Sequence, residues 1–172
     1  MSLFKAQLYI FLGLVALGLI SSSAYIVYQP EQAIVLQFGE PVRWVKEPGL
    51  KFKVPLIQNV VFYDTRLLNL DPPAQEVVLN DKKRLDVDSF TRYQIVDPLK
   101  FYQTVKTETQ ARSKLEEIVN SSLRKVLGRV TLTELLSQQR TQIMADISKT
   151  VKKDAEAIGV SVADVRIRRA DL

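Results

Sequence analysis

A chain of 172 residues, 47% apolar and 25% charged, has the make-up of one folded domain of ordinary size, or of two small ones plus an anchor. It contains neither cysteine nor histidine, which excludes disulfides, thiolate zinc sites, cysteine palmitoylation and histidine-based catalysis. The formal net charge of +5 permits contact with anionic lipid headgroups, but no Lys/Arg tract or nucleic-acid signature accompanies it, so no nucleic acid is expected as a partner.

The first element is the strongest signal. After a short tail, residues 1–7, no charge appears between Lys5 and Glu31, and the apolar heart of this run is Leu8 to Tyr28. About 20 helical residues cross ~30 Å of hydrocarbon, so residues 8–28 are expected to form a transmembrane helix. Tyr9, Tyr25 and Tyr28 lie near its ends, where amphipathic rings prefer the interface. The same segment also fits a cleaved signal peptide, with basic Lys5, a core from Leu8 to Ile20 and small residues at Ser22 and Ala24. Charge bias does not orient it, because Lys5 on one side faces Arg43 and Lys46 on the other.

Residues 29–96 read as mostly antiparallel β. Ala33–Phe38 and Val42–Val45 flank Gly39-Glu40-Pro41 as a hairpin. Pro48-Gly49 suits the centre of a type II turn. Then "LKFKV" alternates strictly, with Lys51 and Lys53 on one face and Phe52 and Val54 on the other. The strand offers either charge to headgroups or, more blandly, Phe52 and Val54 to a core with solvated lysines. Leu50, Leu56 and Ile57, near the turns, are the candidates for dipping into a membrane interface. Asn59–Leu70 reads as one strand ended by Asp71-Pro72-Pro73. Glu76–Leu79 and Arg84–Val96 form a second hairpin around Asn80–Lys83, with Leu85, Val87, Tyr93 and Ile95 on one face and Asp86, Asp88 and Arg92 on the other.

From residue 97 the period turns helical. Asp97-Pro98 is an N-cap with proline at the first helical position, ahead of Phe101, Tyr102 and Val105 on one face. A helix from about Thr109 to Leu127 carries Ala111, Leu115, Ile118, Val119 and Ser122, with Gly128 as its stop. "TLTELLSQ" is a short helical turn. Arg140–Ile158 has an apolar stripe of Ile143, Ile147, Val151 and Ile158, ended by Gly159. In "VSVADVRIRRADL" the alternation slips by one at Ala163-Asp164, which predicts a bulge. The fold class is α+β, with an N-terminal anchor, a β-rich membrane-proximal subdomain over 29–96 and a helical/β subdomain over 97–172.

Candidate chemistry is sparse. Asp86 and Asp88 share a strand face, but calcium wants six or more oxygens and no loop supplies them. Ser21, Ser22 and Ser23 sit about four helical turns from Lys5, too far for a Ser–Lys nucleophile. Gly13 and Gly18 miss the GxxxG spacing of close helix pairs. No catalytic, metal or cofactor site is expected. Arg166, Arg168 and Arg169 could meet a partner's acids, although two arginines on one strand face are ordinarily just solvated.

The stretches "YQPEQAIVLQFGEP", "EPGLKFKVPLI", "DKKRLDVDSFTRYQIVDPLKFY" and "AIGVSVADVRIRRADL" resemble, in order and spacing, the SPFH or band 7 family of stomatin, prohibitin and flotillin. The last two point to the bacterial branch that works with an HflK-like paralogue rather than to stomatin or prohibitin. That resemblance implies a single-pass protein of the bacterial inner membrane with its bulk on the periplasmic side. It further implies alternation with the HflK-like paralogue in a large ring or cage that regulates an FtsH-type AAA protease, with membrane lipids as further partners. A long charged helix is expected to follow the SPFH domain, after Leu172. A homo-oligomeric membrane-organising scaffold of the stomatin or prohibitin type is the alternative, and an enzyme such as a membrane peptidase is disfavoured by the lack of catalytic residues.

Overall fold

The computed structural model describes residues 13, 14, 18 and 21–171, without the side chains of 169–171. Most of the expected transmembrane helix over 8–28 lies outside the described residues. Its end does not, and there the expectation is corrected: Ser21–Ser23 are helical, but Ala24–Val27 is a β-strand. Among the described residues no helix is long and apolar enough to cross a membrane.

The chain divides into two compact units between Asp64 and Thr65. The first holds β1 (Ala24–Val27), β2 (Glu31–Gln37), β3 (Glu40–Val45), β4 (Gly49–Phe52) and β5 (Gln58–Asp64). β3, β2 and β5 form an antiparallel sheet in that order, and β1 pairs with β4 as a two-stranded ribbon. The β2–β3 hairpin is the one the sequence predicts. Gly49 takes the expected positive φ, +128°, but as the first residue of β4 paired with Val27 rather than inside a turn. Val27, Ala33, Val35 and Val45 make the core of this unit, with Tyr25 and Val60 packed against it.

The second unit holds β6 (Leu68–Leu70), β7 (Gln75–Val78), β8 (Arg84–Ile95), α1 (Pro98–Thr104), α2 (Glu108–Leu127), α3 (Leu132–Leu136), α4 (Arg140–Glu156) and β9 (Val160–Asp171). The strand expected over Asn59–Leu70 is thus two, β5 and β6, broken at Thr65–Leu67 where the units part. The expected subdomain boundary after Val96 also differs from the observed one. β8 pairs along nearly its whole length with β9, the last strand, so β6 to β8 belong with the helices. β7 and β6 take successive stretches of the other edge of β8. Leu85, Val87, Tyr93 and Ile95 are buried on one face of β8, together with Ser89 and Thr91.

Three of the four helices of this unit start at a capping side chain, and only α4, preceded by Gln139, has none. The Asp97 side chain accepts from Lys100 N with Pro98 behind it, and Thr107 accepts from Gln110 N. Ala111, Leu115, Val119, Ser122 and Leu123 are buried along α2, whereas Ile118 is half-buried beside that stripe. Ile143, Ile147 and Val151 are buried along α4, which packs on α2 and β9. The bulge predicted at Ala163-Asp164 is present: Arg92 pairs with Asp164 and Tyr93 with Val162, leaving Ala163 as the extra residue. A second bulge, at Arg168, was not predicted.

Gly159 joins the two ends of this unit. It has φ +75°, and its carbonyl accepts from both Val96 N and Asp97 N, tying the end of α4 to the β8–α1 junction. A Cβ there would lie 2.4 Å from Asp97 O and 2.8 Å from Phe101 N, backbone atoms that cannot swing away. Gly159→Ala should therefore destabilise the unit by about 2 kcal/mol or more, read as a lowered denaturation midpoint.

α3 opens with a capping box. Thr131 N donates to Glu134 Oε2 at 2.7 Å, the Thr131 hydroxyl donates to the same oxygen at 3.0 Å, and Glu134 N donates back to Thr131 Oγ1. The Thr131 backbone bond, then the hydroxyl bond, hold the Glu134 carboxyl below its ordinary range. A depressed folded-state value means that the contribution is complete above the ordinary carboxylate range and is lost as pH falls through the depressed value. Amide exchange at Leu132–Leu135 is thus expected to accelerate as pH falls through that window, after correction for intrinsic rates. In Glu134→Gln this acid-dependent acceleration should be absent.

Candidate functional site

The point where helix gives way to strand organises the first unit. Lys53 N donates to Ser23 O at 2.8 Å and the Ser23 hydroxyl donates to Lys53 O. The ladder continues as Ala24 with Phe52, Tyr25 with Lys51, Ile26 with Leu50 and Val27 with Gly49. No linker separates the helix from the folded unit.

Strand geometry then sorts the side chains. Tyr25 and Val27 turn inward to the core, and Lys51 shares their face. Ile26, Leu50 and Phe52 therefore point outward and are 52%, 59% and 61% exposed. Val54 continues this exposed series. The reading of Phe52 and Val54 as core with Lys51 and Lys53 solvated is thus corrected: the apolar pair is exposed and the lysines are half-buried. The reason is that β1 supplies the inward apolar residues, and pairing in this register leaves the phenylalanine on the opposite face.

A chain of bonds extends the surface. Gln58 N donates to Val54 O, Val54 N donates to Gln58 Oε1, and Gln58 Nε2 donates to Gln37 Oε1. The turn Pro55–Ile57 and the tip of the β2–β3 hairpin consequently lie side by side, next to Ser23. Leu56 on that turn is 95% exposed and Phe38 on that tip 83% exposed. Both hold positive φ, +69° and +52°, where a bulky side chain is uncommon. Several large apolar side chains grouped on one exposed surface are what a soluble monomer avoids.

Of the sequence candidates, Leu56 and Ile57 are brought together with Val54 at the helix exit, and Lys53 is bonded to Ser23 there. Lys51 sits two pairs further along the ribbon and Leu50 three. Phe38 and Ile26 were missed. A phenylalanine immediately before the turn glycine Gly39, where polar residues are usual, is the signal that could have found the first.

The remaining candidates do not assemble into a site. The Arg166 guanidinium lies 2.6 Å from Asp164. Arg168 lies 2.8 Å from Asp71 and over the Phe90 ring, so both arginines already hold a carboxylate of their own chain. The Arg169 side chain and Lys5 fall outside the described residues, and Ser23 is engaged with Lys53. Asp86 and Asp88 lie off the buried face of β8, and among the described residues no group of three or more acidic side chains is placed to hold a metal.

Comparison with known proteins follows the same outline. The chain is 31% identical to Protein HflC of Buchnera aphidicola subsp. Schizaphis graminum, over 88% of this chain and 57% of that protein. It is 32% identical to Protein HflC of Haemophilus influenzae, over 90% and 56%. It is 30% identical to a stomatin homolog of Pyrococcus horikoshii, over 89% and 56%. The chain thus spans less than two thirds of the length of these curated relatives. Residues 25–172, from the second residue of β1 onward, match the SPFH domain / Band 7 family, and the chain belongs to that family.

Proposed function

We propose that this protein is a single-pass membrane scaffold of the bacterial inner membrane, its bulk on the periplasmic side, that assembles with an HflK-like paralogue into a ring or cage and regulates an FtsH-type AAA protease. The single observation carrying the membrane part is the helix exit. An uncharged apolar run leads without a linker into a strand whose outer face, Ile26, Leu50 and Phe52, and whose neighbouring tips, Phe38 and Leu56, are exposed and apolar. With the strand beginning at Ala24, a helix over Ala6–Ser23 would be about 18 residues and about 27 Å long, close to the ~30 Å of hydrocarbon. The proteins named HflC among its relatives support the partner assignment, in keeping with the sequence resemblance.

In this reading Leu50, Leu56, Ile57 and Phe38 dip into the interface while Lys51 and Lys53 meet headgroups. Each lysine near an anionic surface contributes ~1 kcal/mol, enough to orient the unit and too little to hold it, which is the anchor's part. Catalysis has no place in the reading, which leaves assembly as the activity. The stomatin homolog supports a second reading, a homo-oligomeric scaffold without a protease client.

Two experiments test these statements. Because Leu56 is almost fully exposed and holds an unfavourable φ, Leu56→Asn should leave unfolding stability unchanged within about 0.5 kcal/mol, or raise it. Together with Ile57→Ser it should nevertheless move the exit surface away from the bilayer, seen as reduced quenching of a probe at residue 38 by bromolipids. Unfolding of the variant would instead make these residues core. Separately, affinity purification from native membranes in mild detergent is expected to recover an HflK-like paralogue and an FtsH-type protease. Recovery of the homo-oligomer alone selects the stomatin-type reading.

A further inference from the structure

Beside the exit surface, and separate from its apolar side chains, lies a cleft of about 380 Å³ lined by Arg43, Trp44, Val45, Lys46, Glu47 and Lys51. Three cations and one carboxylate give it a net charge of +2 at neutral pH. Arg43 donates to Phe52 O at 2.7 Å, which places the guanidinium against the end of β4 while using one of its five N–H donors. Trp44 Nε1 donates to Gln32 Oε1 at 2.8 Å, which fixes the indole, and Lys46 Nζ lies 3.9 Å above the ring centroid. Lys51 is 3.4 Å from Glu47, whose side chain is 86% exposed and is therefore easily exchanged for another anion.

Position gives the cleft its meaning. Phe52, whose carbonyl holds Arg43, is paired with Ala24, the first residue after the helix, and Lys51 is paired with Tyr25, the second. At about 3.3 Å per strand residue, the guanidinium and ammonium groups stand one or two steps beyond the helix end. The polar headgroup layer of a bilayer is about 6 Å deep on each side, so this is headgroup depth. An arginine fork, two point-charge lysines and an indole together fit a phosphodiester beside an interfacial aromatic.

We infer that this cleft binds the headgroup of an anionic phospholipid, with Arg43 and Lys51 on the phosphodiester and Lys46 and Trp44 closing its side. The inference deepens the membrane-anchored reading and rests on it for the depth of the cleft. Trp44 is the sole tryptophan of the chain, so its fluorescence reports on the cleft directly.

The test uses the full chain in phosphatidylcholine vesicles with increasing phosphatidylglycerol. A saturable shift of Trp44 emission is expected, absent in phosphatidylcholine alone. Its midpoint should move at least tenfold to higher phosphatidylglycerol in Arg43→Gln/Lys51→Gln. The same direction is expected in Lys46→Gln, which breaks no hydrogen bond described above and so guards against a folding defect. A saturable shift on adding inorganic phosphate to phosphatidylcholine vesicles would assign the cleft to a free anion and overturn the lipid. An unchanged midpoint in both variants would also overturn the assignment. Carbonate extraction reads the anchor separately. A wild-type chain that washes out overturns the anchored reading and the cleft with it, whereas a retained chain without a phosphatidylglycerol response overturns the cleft alone.

Discussion

The first unit depends on one pairing, that of β1 with β4. A two-stranded ribbon alone is marginal in water, and this one persists because Tyr25 and Val27 close onto Ala33, Val35 and Val45. That closure fixes the register, and register fixes everything outside it. With the odd positions of β1 committed inward, Ile26 and its opposite Leu50 have nowhere to go but out. Phe52 follows them for the same reason. The exposed apolar surface is thus the geometric remainder of the core.

This explains why the sequence was misleading at the site and legible elsewhere. In "LKFKV" the alternation is plain, but alternation says only that two faces differ. Which one is buried depends on the partner strand, and β1 was hidden inside what reads as the tail of an apolar helix. Tyr25 to Val27 is β-branched and aromatic, compatible with either state, and only pairing across more than twenty residues decides it. The break at Thr65–Leu67 was invisible for a like reason: β5 and β6 are both apolar, and they part because they pair with different strands.

In the second unit local signals and tertiary structure agree. Asp97, Thr107 and Thr131 act through bonds to backbone groups three residues away, so they depend little on distant contacts. The slip of phase at Ala163 is likewise local, since Val162 and Val165 must both face the helices. The bulge at Arg168 left no comparable mark, because alternation of Ile167 with its polar neighbours continues toward a stretch without apolar anchors.

Those two irregularities bear on how copies of such a unit could meet. Among the described residues β9 pairs with β8 alone, so its outer margin is a terminal one, twelve residues long. An uninterrupted margin of that length invites a foreign strand and, in a crowded array, open-ended fibre growth. Extra residues at 163 and 168 break the donor–acceptor spacing and coil the margin away from flatness. In the proposed assembly, adjacent copies would thereby be steered to meet through side chains, a mode of contact that can close on itself and come apart again.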